Sequence, residues 1–211
     1  KINADPERIL GAVCAGSLDL YRALFDDDPM AGAGAVTRSV LTAAPGRDLI
    51  VADYSAIEGR GLAWLAGEEL TLDVYRSGKD PYIFSASMIL HKPYDKITKD
   101  ERSSPGKVSE LACGYGGGAG AVRKFGGDEP FRIKRVAEGY RGEELEEIVD
   151  QDIREQIVTP WRESRPMTTQ FWQALEQACS AAVGSPGMLF SARSIAFKVR
   201  GKFLMCRLPS G

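Results

Sequence analysis

Two short segments contain the side chains that could do chemistry. The first places Asp53 directly after an apolar run, with Glu58 five positions later. The second spaces Lys107, Leu111 and Tyr115 four residues apart, which predicts one helical face carrying a cation and an aromatic ring. Carboxylates bind hard cations such as Mg²⁺, and a lysine beside a helix N-terminus attracts phosphate. Together the segments predict a metal site opposite a triphosphate site.

The elements that must position the first segment are a strand and a helix. The unbroken apolar run Leu49–Ala52 predicts a strand covered on both faces, with Asp53 at its carboxyl end, where ligands of α/β sheets bind. Ser55 and Glu58 then fit a capping box for a largely buried helix that begins near Ala56. Local sequence alone does not decide whether Glu58 caps the helix or takes part in chemistry. For Asp53 the alternative is a structural aspartate in the strand-to-helix turn, which this segment favours less than a ligand-binding role.

The second segment follows a predicted helix start. Ser104 is a good N-cap and Pro105 a good first helical residue, so the helix carrying Lys107 begins there and leaves Arg102 outside it. The glycine-rich run 114–120 has no G-x-x-x-x-G-K pattern before it, so it reads as a helix end and flexible joint, not as a phosphate-binding loop. Elsewhere the pattern predicts a helix over 7–25, a loop over 30–34, a short helix over 36–41, a turn at Pro45-Gly46, a helix from Asp80 to Ile89, and mainly helices over 121–182, with an apolar packing stripe at Phe171, Trp172, Leu175 and Ala178.

Composition excludes several classes of protein. The 211 residues can bury a good core, and neither a membrane-spanning apolar run nor a signal peptide is present, which predicts a soluble intracellular protein. The four cysteines form no C-x-x-C pair. The single histidine, His91, lies in a polar linker and argues against a histidine-zinc cluster. Chemistry must therefore rest on carboxylates, cations or hydroxyls.

The C-terminal stretch is basic although the net charge of the chain is −2. Its alternating pattern predicts strands with one apolar face and cations projecting from the other. A solvated sheet face explains this pattern adequately by itself. The cations are Arg193, Lys198, Arg200, Lys202 and Arg207.

These motifs resemble those of the family A DNA polymerases, especially their phage and prophage branch. Residues 53–60, D-Y-S-A-I-E-G-R, resemble the family's first signature D-Y-S-Q-I-E-L-R, and Arg102, Lys107 and Tyr115 resemble its second, R-x3-K-x7-Y-G. Residues 64–67, 78–82 and 208–211 also resemble phage-type members, and the likeness is strongest over residues 36–124.

The resemblance implies an α/β (α+β) fold in which a polymerase palm sheet carries a mainly helical fingers subdomain, here incomplete. It implies one polymerase domain, divided into a helical lead-in (1–47), a palm segment (48–95), a fingers-like region (96–190) and returning palm strands (191–211). It also implies transfer of a deoxynucleotide to a primer 3′-hydroxyl in a bacterial or phage-infected cytoplasm. Primer-template DNA and deoxynucleoside triphosphates would be its partners, and two Mg²⁺ ions its cofactors.

The resemblance assigns roles residue by residue. Asp53 would bridge the two metal ions, and the backbone carbonyl of Tyr54 would be a further ligand. Glu58 would crowd the 2′ position of the sugar. Lys107 would grip the triphosphate, and Tyr115 would lie near the nascent base pair. Arg102 would reach phosphate from a loop.

Departures from the family pattern limit what is carried over. Ala56 replaces a glutamine, Leu111 replaces a phenylalanine, and Arg102 lies five residues before Lys107 instead of four. The His-Asp-Glu signature that supplies a second metal-binding aspartate is missing from the sequence, and Asp128 does not replace it. We therefore expect a segment of a polymerase that does not polymerise alone. The rivals are a metal-dependent nuclease, which leaves Lys107 and Tyr115 unexplained, and a non-catalytic remnant or assembly module.

Overall fold

The computed structural model describes residues 6–25, 28–37 and 41–211. The chain divides into two compact units, Lys1–Tyr54 and Ser55–Gly211, which are described separately below. Within the described residues, no helix combines the length and the apolar character needed to cross a membrane.

Among its described residues, the first unit contains three short helices. They are α1 (Pro6–Cys14), α2 (Leu18–Leu24) and α3 (Pro29–Val36). The prediction of one helix over 7–25 is wrong because Gly16 adopts a positive φ of 65° and Ser17 begins a new helix, its side chain accepting a hydrogen bond from the Leu20 amide at 3.2 Å. The side chain of Tyr21 is buried at the centre, among Ile9, Ala12 and Val36.

The predicted loop over 30–34 is also wrong, because those residues lie inside α3. The side chain of Asp28 accepts a hydrogen bond from the amide of Met30 at 3.1 Å, and Pro29 begins the helix. Gly32 sits under the hydroxyl of Tyr21, which would clash with any larger side chain there. The short helix predicted over 36–41 falls partly on residues 38–40, which lie outside the described residues, and α3 ends at Val36. The turn at Pro45-Gly46 is confirmed.

The strand predicted over Leu49–Ala52 does not form. These residues have no regular structure, and the side chains of Ile50 and Val51 are 89% and 85% exposed. A strand needs a neighbour that accepts and donates its backbone hydrogen bonds. The strands among the described residues pair only with one another and supply no such neighbour.

Helices dominate the second unit. A 3-10 turn covers Tyr94–Lys96, and π-helical segments cover Arg102–Lys107 and Arg154–Val158. The predicted helix from Asp80 is confirmed as α6, with the Asp80 side chain accepting the amide hydrogen bond of Tyr82 at 2.8 Å. The α-helices are α4 (Ile57–Ala66), α5 (Glu69–Arg76), α6 (Pro81–Leu90), α7 (Lys99–Glu101), α8 (Val108–Cys113), α9 (Ala119–Lys124), α10 (Glu129–Ala137), α11 (Gly142–Ile153), α12 (Thr159–Glu163) and α13 (Pro166–Gly184).

The capping box predicted at the start of α4 is wrong. Ala56 precedes the helix with a left-handed backbone (φ 50°), and no side chain caps it. The carbonyl of Ser55 instead accepts a hydrogen bond from Nε of Arg60 at 2.9 Å. The helix is less buried than predicted, since Trp64 is 60% exposed and the buried side consists of Ala63 and Ala66.

Ion pairs hold the charged helices α9, α10 and α11 together. Glu146 of α11 receives hydrogen bonds from Arg123 and Arg132, and these guanidinium groups lower the pKa of Glu146 to about 2. Arg135 pairs with the buried carboxylate of Asp152 at 2.7 Å. The mainly helical region predicted over 121–182 is confirmed.

An antiparallel sheet of order β1-β2-β3 closes the second unit. Its strands are β1 (Leu189–Ala192), β2 (Ile195–Arg200) and β3 (Phe203–Arg207). One face of the sheet packs on α13, where Phe171 and Ile195 are buried together. The prediction that the apolar stripe of α13 serves packing is therefore confirmed at Phe171. The predicted C-terminal strands and the α+β fold class are confirmed.

Candidate functional site

A cavity of about 350 Å³ opens between α4, α5, α6 and α8. That volume lies within the range of small-molecule sites in proteins, so a ligand of nucleotide-fragment size can enter. Its apolar wall includes Leu62, Leu65, Leu111 and Trp161. Its polar lining includes Glu58, Tyr75, Tyr82, Glu110, Tyr115 and Arg165. Two predicted site residues, Glu58 and Tyr115, therefore line the same cavity.

A buried ion pair forms the back of this cavity. Arg165 donates to the carboxylate of Glu110, and the two side chains are only 3% and 10% exposed. Oε1 of Glu110 also accepts hydrogen bonds from the Ser85 hydroxyl and from Nε1 of Trp161, the latter at 3.0 Å. The guanidinium of Arg165 stacks over the Trp161 ring at 4.4 Å. One carboxylate thus joins α6, α8, α12 and the start of α13.

Tyr75 fills the space beside that ion pair. Gly59 makes room for it, because a Cβ there would lie 2.3 Å from the Tyr75 hydroxyl. Burial, and then the nearby charge of Glu110, raises the pKa of Tyr75 to about 12. Its phenol is protonated at neutral pH, as an unshifted tyrosine would also be, and can act as a neutral donor. The Arg60 guanidinium lies over its ring at 4.5 Å.

The predicted helical face carrying Lys107 and Tyr115 forms only in part. Helix α8 ends at Cys113, and Tyr115 lies in the turn that follows, 74% exposed. Gly116, with a φ of 76°, turns the chain, so the predicted helix end in the glycine-rich run is confirmed. Arg162 donates to the Gly117 carbonyl at 3.3 Å and anchors this turn. Lys107 is exposed at the opposite end of α8 and does not line the cavity.

Arg102 belongs to the turn before α8. The backbone breaks at Ser104, which is extended (φ −142°, ψ 117°), so Arg102 lies outside the helix that follows, as predicted. Nε of Arg102 donates to Asp80 at 2.7 Å, and its guanidinium lies 5.1 Å from the Tyr82 ring. Asp80 also caps α6, so Arg102 already has a structural partner.

The predicted metal ligands belong to the other unit. The side chains of Asp53 and Tyr54 are both exposed. A carboxylate and a backbone carbonyl are hard oxygen donors, so they fit Mg²⁺ in type. Across residues 6–25, 28–37 and 41–211, however, no group of three or more His, Cys, Asp or Glu side chains is arranged to hold a metal ion. The described residues therefore do not complete a two-ion site.

Sequence reasoning missed most of the cavity wall. The hydrogen-bonded residues behind the cavity lie far apart in the sequence. Glu110 is 25 residues from Ser85 and 55 residues from Arg165, and Ser85 is 80 residues from Arg165, so no local pattern connects them. One signal was available: Glu110 directly precedes Leu111, Ala112 and Cys113 in a predicted helix. A charge in an apolar stretch needs a partner if it is buried.

Comparisons with known proteins bear on both units. The family model described as DNA polymerase family A matches residues 29–125. The chain is 33% identical over 177 residues to a DNA polymerase of Bacillus phage SP02, which covers 83% of this chain and 25% of that protein. It is 31% identical over 104 residues to a DNA polymerase of Mycobacterium phage D29, covering 49% of this chain and 17% of that protein. DNA polymerase I of Aquifex aeolicus (strain VF5) is 37% identical over 65 residues, 31% of this chain and 11% of that protein.

No solved structure matches the chain. The chain spans a quarter or less of the length of these three relatives. The match covers both motifs predicted to carry chemistry, Asp53–Arg60 and Arg102–Tyr115, and it agrees with the resemblance found over residues 36–124. The chain therefore belongs to DNA polymerase family A, with residues 29–125 as the part that carries the family pattern.

Proposed function

We propose that this chain supplies the nucleotide-binding part of a polymerase that copies a DNA template. The observation that supports it best is the shared cavity of Glu58 and Tyr115, two residues that lie 57 positions apart and come from the two signature motifs. A nuclease would need neither Tyr115 nor the exposed cation at Lys107.

In this proposal each residue contacts a different part of the incoming nucleotide. Glu58, at the cavity mouth, limits the space at the sugar 2′ position. Tyr115 lies against the nascent base pair, and the exposed charge of Lys107 holds the triphosphate and stabilises charge that develops on the leaving group. Arg102 assists Lys107 only if its free guanidinium nitrogens reach phosphate while Nε stays on Asp80.

We extend the proposal to the whole polymerase. Asp53 and the Tyr54 carbonyl would hold Mg²⁺, which supplies Lewis-acid stabilisation of the transferring phosphate, and other parts of the polymerase would complete the ion set. Primer-template DNA and deoxynucleoside triphosphates are the proposed substrates, in the cytoplasm of a bacterial or phage-infected cell. The boundaries at residues 47, 95 and 190 remain our proposed division of one polymerase domain.

Thermal unfolding with dATP and Mg²⁺ tests nucleotide binding. A ligand at 100 times its Kd stabilises the folded state by about 2.7 kcal/mol, which raises the Tm of a chain of this size by roughly 5–10 °C. We expect such a rise for the wild type and at most a third of it for Lys107→Ala, because the triphosphate loses its cation. Lys134→Ala removes another exposed lysine, from α10, and should keep the full rise. Equal rises in all three proteins would contradict the role of Lys107, and no rise in any of them would favour a non-catalytic remnant.

Glu58→Ala tests the sugar contact in a polymerase that contains this chain. Removing the side chain opens the 2′ side of the cavity, so we expect ribonucleotide incorporation to rise about 10- to 100-fold relative to deoxyribonucleotide, equivalent to about 1.4–2.8 kcal/mol. Single-nucleotide primer extension with paired dNTP and NTP measures this ratio. Glu129→Ala, which removes an exposed glutamate from the first turn of α10, is the matched control. An unchanged ratio of ribonucleotide to deoxyribonucleotide incorporation in Glu58→Ala would contradict the sugar contact and show that Glu58 has only a structural role.

A further inference from the structure

A second cavity, of about 570 Å³, lies in the same unit and shares no lining residue with the nucleotide cavity. Its wall includes Leu90 at the end of α6, Phe131 in the first turn of α10 and Pro160 in the first turn of α12. Both π-helical segments of the described chain also reach it, one through Pro105 and the other through Ile157. Such segments are frequent at functional sites, and the volume suits a small organic ligand.

Most of the side chains around this cavity are apolar. Ile89 and Ile157 are buried, and Leu90 and Phe131 pack on the same core while part of their surface stays open. A ligand that covers this surface removes apolar area from water, which favours binding. The wall therefore suits a ligand with an apolar body.

The charge at this cavity is negative. Glu155 accepts a hydrogen bond from the side-chain amide of Gln151 at 2.8 Å, but no salt bridge among the described residues neutralises it. Helix α6 ends at the cavity with no basic residue in its last turn, so its C-terminal carbonyls add partial negative charge. Glu101, the other carboxylate at the cavity, is already paired with Lys92. No lysine or arginine is among the described residues that line the cavity.

We propose that this second cavity binds a small organic cation, that is, an apolar body that bears one ammonium group. The body lies against Leu90, Phe131 and Ile157, and the ammonium group contacts Glu155, with the end of α6 adding attraction. A neutral analogue would cover the same wall but leave the negative groups without a partner, and an anion would be repelled. The proposal is independent of the proposed function, because the two cavities share no residue.

Isothermal titration calorimetry of the whole 211-residue chain with three indoles tests the proposal. Tryptamine, indole-3-ethanol and indole-3-acetate share one apolar body and carry a positive charge, no charge and a negative charge. Because His91 also lines the cavity, binding is measured at pH 8, where free imidazole is neutral and an alkylamine is charged. An exposed ion pair and a helix end each contribute only a few-fold in affinity. We therefore expect tryptamine to bind about 5- to 10-fold more tightly than indole-3-ethanol, and indole-3-acetate to bind least.

Glu155→Lys tests the position of the charge. It changes an exposed side chain, so the fold should be kept, and indole-3-acetate should now bind more tightly than tryptamine. Glu147→Lys makes the same change at an exposed position of α11 that does not line the cavity, and it should keep the wild-type order. Indole-3-ethanol carries no charge and should bind all three proteins within about two-fold.

The Tm rise with dATP should persist in Glu155→Lys, which separates this site from the nucleotide cavity. Four results would each overturn the proposal. They are equal affinities of tryptamine and indole-3-ethanol for the wild type, an unchanged order in Glu155→Lys, the same reversal in Glu147→Lys, and no binding of any of the indoles.

Discussion

Replacing Arg165 by methionine is expected to lower the free energy of unfolding of the chain by about 3–5 kcal/mol, because it leaves the buried carboxylate of Glu110 without its counter-charge. Both side chains are almost fully excluded from solvent, so water cannot take the place of the guanidinium. Urea unfolding followed by circular dichroism measures the change. The variant should also lose the packing of the guanidinium over the Trp161 ring.

Two further variants separate the buried charge from lost packing. Adding Glu110→Gln to Arg165→Met should recover a large part of the loss, because the orphaned charge is gone while the amide oxygen still accepts from Trp161. Arg76→Met removes an exposed arginine that pairs with Glu69 and should change stability little. A loss for Arg165→Met no larger than that for Arg76→Met would show that the ion pair does not hold these helices together.

Replacing Asp53 by asparagine is expected to abolish templated synthesis by a polymerase that contains this chain, with a fall in rate on the order of 10³-fold. Loss of an ionised metal ligand removes several kcal/mol of transition-state stabilisation, and about 4 kcal/mol corresponds to that factor. The substitution conserves shape and changes an exposed side chain, so stability should not change. Single-turnover primer extension with Mg²⁺ measures the rate.

Asp48→Asn is the matched control, since it removes the charge of another exposed aspartate close to Asp53. Its rate should equal that of the wild type. Wild-type extension by Asp53→Asn would remove that residue from the proposed metal site. The 211-residue chain alone should extend no primer, and robust, Asp53-dependent extension by it would contradict our expectation that the chain does not polymerise alone.

Local signals in the sequence predicted elements that depend on local interactions. Asp80 and Pro81 predict the start of α6 because a side-chain cap and a fixed φ act within one helical turn. The alternation of apolar and charged side chains in β2 predicts a strand, because one face of the sheet is buried against α13. An amphipathic pattern does not reveal a break in the helix that carries it. At Gly16 one positive φ divides a continuous apolar stripe into α1 and α2.

Elements that depend on distant partners could not be predicted in the same way. The run Leu49–Ala52 has strand-like composition, yet composition does not supply a neighbouring strand. The cavity depends on Glu110 and Arg165, which are far apart in the sequence and contact each other because α6, α8 and α12 pack together. Family resemblance gave the residues at the cavity mouth, Glu58 and Tyr115, whereas the buried charges behind them became visible only in three dimensions.

Hydrogen exchange of the 211-residue chain, with and without saturating dATP and Mg²⁺, tests the central claim most directly. If residues 102–120 form the nucleotide-binding side of the site, peptides from that range should exchange several-fold more slowly with the nucleotide, while peptides from α10 and α11 should not change. Lys107→Ala should weaken the protection. Unchanged exchange across 102–120 at saturating nucleotide would contradict the claim that this chain binds the incoming nucleotide.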